Sequence, residues 1–170
     1  MMPRVLPIPV AFALVAGVFP AQPARAEFDP SKPFQIQMSN RLEFCALPGS
    51  AKRQIQVEIR PCDEAAVPND ARWTWSKQTR QLRHVGTGRC AGVYGDPALV
   101  RPVTLVECAT TTADPAQRWG HDDRQRITGG GKSHHCWVVV GSPGPPLRFS
   151  AFHSPCNTHH YHEFKIAPVS

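Results

Sequence analysis

Signatures of catalysis are missing from this sequence of 170 residues. It contains no G-x-S-x-G, no H-E-x-x-H and no glycine-rich phosphate loop in a strand-to-helix frame. The adjacent carboxylates Asp122 and Asp123 have no evident catalytic partner and are interpreted as part of a turn. The sequence therefore predicts a protein that is not an enzyme and that needs no cofactor.

Sustained helical periodicity is missing as well. Residues 54–59 alternate as Q-I-Q-V-E-I, which is typical of a half-buried strand. Residues 103–106 and 147–152 predict further strands, and the connecting segments LPGSAK, VYGDPALVRP and VGSPGPP are rich in proline and glycine. This pattern predicts a single all-β domain.

Concentrated positive charge is also missing. A nucleic-acid-binding surface gathers its basic residues in one stripe between stacking aromatics. Here the arginines are scattered singly among polar residues, as Arg80, Arg83, Arg89, Arg101, Arg118, Arg124 and Arg126. The sequence therefore predicts no nucleic-acid partner.

Only one long apolar run is present, and it lies at the N-terminus. Arg4 precedes an apolar stretch over 5–19, and AQPARA ends at Ala26 with small residues at the cleavage positions. This is the pattern of a signal peptide over 1–26, too short and proline-rich for a membrane span. We expect a linker over 27–32, a domain over 33–170, a secreted or periplasmic location, and no membrane insertion. Without 1–26 the net charge falls from +6 to +4, because Arg4 and Arg25 are removed and no acidic residue is.

Six cysteines in an exported chain indicate disulfides, for which fifteen pairings are possible. The cysteines fall into three pairs whose members lie 17, 18 and 20 residues apart, and the pairs recur with a steady period. Local pairing within each copy is the simplest connectivity. It predicts three bridges: Cys45–Cys62, Cys90–Cys108 and Cys136–Cys156.

An internal repeat follows from the same frame. Each copy has a strand, a cysteine, a Gly/Pro turn, a strand entering the second cysteine, a polar loop and an aromatic residue. The aromatic is Trp73, Trp119 or Phe164. We expect repeats over about 33–77, 78–123 and 124–170.

These features resemble the ricin B-type lectins. Gln117-Arg118-Trp119 matches the Q-x-W signature of that family, 71–73 keeps only the aromatic, and 162–164 ends in phenylalanine. The resemblance covers about residues 33 to 170. It implies a β-trefoil of three repeats, each with a local disulfide, in which the three aromatics are core residues.

The resemblance also implies carbohydrate binding, but the galactose site of the family is not kept. The family places an aspartate two residues after the first cysteine, where this chain has Leu47, Gly92 and Val138. It places an aromatic two residues before the second cysteine, where this chain has Arg60, Val106 and Ser154. We therefore expect galactose to be a poor ligand.

Two looser sets could supply an aromatic face and polar groups for a sugar. One is Tyr94 and Asp96 with Gln117, and the other is Trp137 with Phe152 and His153. In the alternative interpretation, Trp137 and Phe152 are core residues and Gly95-Asp96-Pro97 is only a turn.

Histidine is concentrated late in the chain, with six of the eight between positions 134 and 162. A local bridge would bring the histidines that flank it together, where they could bind zinc or copper or titrate together. The candidate metal ligands are His134, His135, His159 and His162, and the alternative is that these are ordinary exposed loop histidines.

The sequence thus favours a secreted carbohydrate-binding module with a non-canonical site, whose partner is a glycan or cell-surface glycoconjugate. One alternative is a protein-interaction or toxin-delivery subunit that binds a partner protein through the same scaffold. The other is a histidine-dependent metal-binding or pH-responsive exported protein.

Overall fold

A computed structural model describes residue 29 and residues 32–49, 54–65, 68–95, 99–110, 114–140, 149–156 and 163–169. The predicted signal peptide lies outside the described residues. No helix within these ranges is long and apolar enough to cross a membrane.

The described part of the chain is built from strands and three short 3-10 helices, and it contains no α-helix. The all-β prediction is confirmed. The 3-10 helices span Cys62–Glu64, Pro68–Ala71 and Pro115–Gln117. The strands are β1 (Phe34–Met38), β2 (Arg41–Pro48), β3 (Ile55–Pro61), β4 (Trp73–Trp75), β5 (Leu82–His84), β6 (Cys90–Gly92), β7 (Arg101–Pro102), β8 (Thr104–Val106), β9 (Trp119–His121), β10 (Ile127–Gly129), β11 (Lys132–Val140), β12 (Phe149–Pro155) and β13 (Phe164–Pro168).

Three antiparallel pairs, β2–β3, β6–β8 and β11–β12, carry the cysteines in one common register. In each pair the first cysteine opposes the residue two positions before the second cysteine: Cys45 faces Arg60, Cys90 faces Val106 and Cys136 faces Ser154. The second cysteine, two residues further along the chain, therefore lies close enough to the first cysteine to form a disulfide. All three bridges are formed as predicted, with Cα atoms 4.9, 4.9 and 5.3 Å apart.

A second pairing also recurs three times. The strand that begins at the aromatic residue of each repeat pairs with the strand that precedes a first cysteine: Trp73 faces His84, Trp119 faces Gly129 and Phe164 faces Met38. The last of these joins β13 to β1, so the end of the described chain is hydrogen-bonded to its beginning. This pairing covers edges that would otherwise expose unpaired backbone groups.

The cysteine-bearing strands also contact one another, because β3 pairs with both β8 and β12, and β7 pairs with β12. Their inward residues form one hydrophobic cluster that includes Ile59, Leu105 and Ala151. A short strand pair could not bury a core alone, so the three must fold together.

Trp73, Trp119 and Phe164 are fully buried, which confirms the core prediction for these aromatics. The indole N–H of Trp73 donates to the carbonyl of Ala46 at 2.9 Å, and that of Trp119 donates to Ala91 at 2.9 Å. Each acceptor directly follows a first cysteine. The equivalent position in the third pair is Trp137, whose ring lies between the other three.

Trp137 fills the centre of this core through edge-to-face contacts. Its ring centroid lies 6.0 Å from Trp73, 5.6 Å from Trp119 and 5.9 Å from Phe164, with interplanar angles of 72°, 85° and 83°. Such geometry brings the positive edge of one ring onto the negative face of another. One tryptophan therefore packs against the aromatic residue of all three repeats.

His84 is buried beside this core as a neutral imidazole. Its Nδ1 accepts the backbone N–H of Thr87 at 3.1 Å, and its Nε2 therefore donates to the carbonyl of Asp70 at 2.8 Å. Burial lowers the pKa of His84, and the bond to the Asp70 backbone offsets this only in part. A proton added to Nδ1 would face the Thr87 N–H, so the site favours the neutral form.

Stability should therefore fall as the pH drops below about 6.5, the ordinary pKa of histidine in an unfolded chain. The folded pKa of His84 is lower, so the unfolded state binds more protons between these two values. Urea unfolding between pH 7.5 and 5 would measure this slope, which should be smaller in His84→Gln. An unchanged slope in His84→Gln would contradict the prediction.

Candidate functional site

Tyr94 presents an aromatic ring at the surface just after β6. The side chain is 45% exposed. Its hydroxyl donates to Asp114 Oδ2 at 2.9 Å and accepts from Gln117 Nε2 at 2.8 Å. Burial of the hydroxyl raises the pKa of Tyr94. The hydrogen bond with Gln117 lowers this pKa, whereas the hydrogen bond with Asp114 and its charge raise it further. The phenol therefore stays protonated and holds the ring in one orientation.

Gln117 is the residue that fixes this arrangement, and it is only 2% exposed. Its Nε2 donates to Tyr94 and to the Glu107 carbonyl at 2.9 Å. Its Oε1 accepts from the Ala109 backbone N–H at 2.9 Å and from Gln81 Nε2 at 3.1 Å. The amide makes four hydrogen bonds within the protein, so Gln117 acts by positioning Tyr94.

Asp114 was not anticipated from the sequence. It caps the 3-10 helix Pro115–Gln117, with Oδ1 accepting the Ala116 N–H at 2.9 Å, and its other oxygen accepts from Tyr94. An aspartate directly before a proline is a recognised helix-start signal, and it could have identified this residue.

Gly92 is the residue that lets the Tyr94 ring lie against the sheet. A Cβ at this position would stand 2.8 Å from Tyr94 Cε2 and 3.1 Å from Val106 Cγ2. Gly92 is also where the lectin resemblance places the galactose-binding aspartate. The tyrosine ring therefore occupies space beside the strand that a larger side chain at position 92 would need.

The second predicted ligand set includes Trp137 and His153, which lie in the core instead of at the surface. Trp137 has no exposed surface and His153 is 1% exposed, its Nε2 lying 2.7 Å from the Gly129 carbonyl oxygen. Both predicted ligand contacts are corrected to core positions, because the β11–β12 pair turns these side chains toward Trp119. Asp96, predicted to accompany Tyr94, lies outside the described residues.

The histidines form a row that runs from the surface inward. His134 is exposed, while His135 and His153 are buried, and the ring centroids are 5.2 Å apart for the first pair and 4.6 Å for the second. Within the described ranges no group of three or more His, Cys, Asp or Glu side chains could hold a metal ion. His159 and His162 lie outside those ranges, so the metal site stays a prediction.

Comparison with known proteins gives structural matches only. No family model matches the sequence, and no curated protein matches it. The β-trefoil lectin of the Vibrio vulnificus hemolysin/cytolysin, solved with N-acetyl-D-lactosamine, is 15% identical with a TM-score of 0.61 over 82% of this chain and 96% of that chain. The fold is similar to those of β-trefoil lectins.

Two further structures show the same likeness. The Macrolepiota procera ricin B-like lectin, solved with lactose, is 11% identical with a TM-score of 0.63 over 84% of this chain and 99% of that one. The cytolethal distending toxin of Actinobacillus actinomycetemcomitans is 16% identical with a TM-score of 0.59 over 82% and 92%. Because the sequence identities are this low, these comparisons show a similar fold and do not identify a ligand for this chain.

Proposed function

We propose that this protein is a secreted carbohydrate-binding module, a β-trefoil of three repeats, with a non-canonical sugar site centred on Tyr94. The observation that carries the proposal is the hydrogen-bonded row Gln117–Tyr94–Asp114, which fixes a half-exposed aromatic ring at the surface. Fixing the ring before binding lowers the entropic cost of using it as a platform.

The chemistry of this surface suits a pyranose ring. The C–H face of a sugar packs on a flat aromatic, and its hydroxyls need fixed polar partners nearby. Tyr94 offers the face, and Asp114 offers a carboxylate whose position is set by the helix cap. Asp96, two residues after Tyr94, is proposed as a second acceptor.

Export is the second element of the proposal. Disulfides persist in oxidising compartments and are rare in the cytosol, and this chain forms three of them. Residues 1–26 have the composition of a signal peptide, so we propose that the protein functions in the periplasm or outside the cell.

A protein partner is the second candidate. Leu99 and Val100 are 52% and 54% exposed on the same connection as Tyr94, and exposed apolar side chains in a cluster favour protein contacts. The similar fold of a toxin component supports this possibility as a scaffold for assembly.

Tyr94→Ala should weaken glycan binding about tenfold or more, since losing roughly 1.4 kcal/mol of ring contact is a factor of ten. Tyr94→Phe keeps the ring and should lose less, and Gly92→Ala should weaken binding by displacing the ring. A glycan array on the wild-type mature chain would identify the ligand, and calorimetry on the variants would measure the change.

Leu42→Ala is the matched control, because Leu42 is also 45% exposed but lies on β2. It should bind like the wild type. Galactose should compete poorly, since Gly92 replaces the aspartate of the family. Tight, galactose-inhibited binding that survives Tyr94→Ala would disprove the proposed site, and an array with no glycan hit would favour the protein-partner alternative.

A further inference from the structure

A groove separate from the Tyr94 ring lies between the β4–β5 hairpin and the Cys90–Cys108 disulfide. Its volume is about 950 Å³. The side chains that give it chemical character are those of Trp75, Lys77, Thr79, Gln81, Arg83 and Glu107. It combines an aromatic ring with donors and an acceptor, which is the composition of a polar-ligand site.

Two of its polar groups are buried without use. The indole Nε1 of Trp75 and the hydroxyl of Thr79 have no hydrogen-bond partner among the described residues, although both atoms are shielded from solvent. Buried donors are nearly always satisfied in folded proteins, so each such group calls for a partner. Trp73 and Trp119, by contrast, donate their indole N–H to backbone carbonyls. Because the Nε1 atom is shielded from solvent, the part of Trp75 that a ligand in the groove can reach is its ring.

The charges of the groove favour an uncharged ligand. Lys77 and Arg83 are exposed and basic, while Glu107 is exposed and acidic and Asp29 adds a second carboxylate. Arg83 also donates its Nε to the Gly88 carbonyl at 3.1 Å, which fixes its guanidinium at the groove wall. Basic and acidic groups are thus balanced, and hydroxyl groups can pair with both kinds.

The groove is joined to the Tyr94 surface through side-chain amides. Gln81, in the groove wall, donates to Gln117 Oε1 and to the Ala109 carbonyl at 3.0 Å. Gln117 in turn donates to the Glu107 backbone and to Tyr94. One buried glutamine therefore fixes both surfaces.

A groove at the corresponding place beside Cys136–Cys156 differs in charge. It is lined by Arg124, Arg126, Thr128 and His134, and only Arg126 is neutralised, by Asp122 at 2.6 Å. Burial alone would raise the pKa of Asp122, but the hydrogen bonds and the charge of Arg126 more than offset this and lower it. The described lining of this basic groove contains no tryptophan, tyrosine or phenylalanine, so it supplies a control site.

We propose that the groove beside Cys90–Cys108 is a second carbohydrate site that binds a neutral pyranose residue, with the Trp75 ring packing on the C–H face of the sugar and the Glu107 carboxylate accepting from a hydroxyl. This inference rests on the proposed glycan-binding function and extends it to a surface that the lectin resemblance does not assign.

The test is an NMR titration of the ¹⁵N-labelled full-length mature protein with the methyl glycosides of glucose, galactose, mannose and N-acetylglucosamine. Trp75→Phe identifies the Trp75 indole signal, and Trp75→Ala removes the ring. The Trp75 signal should shift with at least one glycoside, while that of buried Trp137 should not. Trp75→Ala and Glu107→Gln should each weaken that binding about tenfold, as expected for losing the ring contact or one polar contact to the ligand. Arg124→Ala should leave it unchanged.

The outcomes separate this proposal from the previous one. If the backbone signals around Tyr94 shift but the Trp75 indole signal does not, the second site is disproved and the carbohydrate function stands. If Trp75 shifts and Arg124→Ala weakens binding equally, the ligand lies in the basic groove and the assignment is wrong. If no glycoside shifts either surface up to solubility-limited concentrations, both proposals fail.

Discussion

Trp119→Ala is expected to destabilise the protein by about 3–5 kcal/mol, the usual cost of removing a buried tryptophan. The ring is fully buried, lies 5.6 Å from Trp137 and 6.0 Å from His153, and donates its N–H to Ala91 at 2.9 Å. The substitution removes these contacts and leaves a cavity at the centre of the fold. Because small domains are stable by only about 5–15 kcal/mol, the variant should unfold at much lower urea concentration.

Urea unfolding followed by circular dichroism measures this effect on the oxidised protein. The glycan array on the folded fraction separates stability from binding, since Trp119 lies in the core and Tyr94 at the surface. A variant that melts like the wild type but loses glycan binding would show that Trp119 is a ligand residue and that its core assignment is wrong.

The arrangement of the disulfides could be predicted from sequence because the pattern is local. Cys90 faces Val106 across one strand pair, so spacing alone places Cys108 beside it. The strand predicted over 54–59 corresponds to β3, which begins one residue later, at Ile55, and ends two residues later, at Pro61, because pairing with β2 continues to the residue before the cysteine. Because this strand pairing is short-range, it produces a regular spacing of cysteines that is visible in the sequence.

The placement of Trp137 could not be predicted in the same way. It directly follows Cys136, beside a run of valines, and the sequence allows either a ligand surface or a core position for it. The structure shows that the residue after the first cysteine points inward, as Ala46 and Ala91 do. The available signal was alanine at both matching positions, since a small apolar residue repeated at one site is typical of a buried position. Whether a residue at these positions is buried depends on how the three strand pairs pack together. No single segment of the sequence specifies that packing.

The divergence between the loops also has a physical reading. The residue two before the aromatic is Gln117 in the second loop and Ala71 in the first. Gln117 makes hydrogen bonds to Tyr94, Glu107 and Ala109, whereas Ala71 is simply buried. The repeated cysteines and aromatic residues stabilise the fold, and the buried Gln117 additionally holds the surface around Tyr94 in place. Function is therefore proposed for the second segment, where the loop still supplies that anchor.

Trp137→Ala should cost about as much as Trp119→Ala, roughly 3–5 kcal/mol, because its ring contacts three other aromatics and is fully buried. The informative comparison is with phenylalanine. Trp119→Phe loses a hydrogen bond to Ala91, whereas the Nε1 of Trp137 has no partner among the described residues. Both changes remove the same atoms.

Trp137→Phe should therefore be milder than Trp119→Phe by about 0.5–1.5 kcal/mol, the net worth of one hydrogen bond. Urea midpoints of the two phenylalanine variants, compared at equal slope, measure the difference directly. Equal losses would show that the Trp137 indole does have a hydrogen-bond partner in solution, such as a bound water, and that the centre of the core is not dry. A larger loss at Trp137 would show that its ring, more than that of Trp119, holds the three strand pairs together.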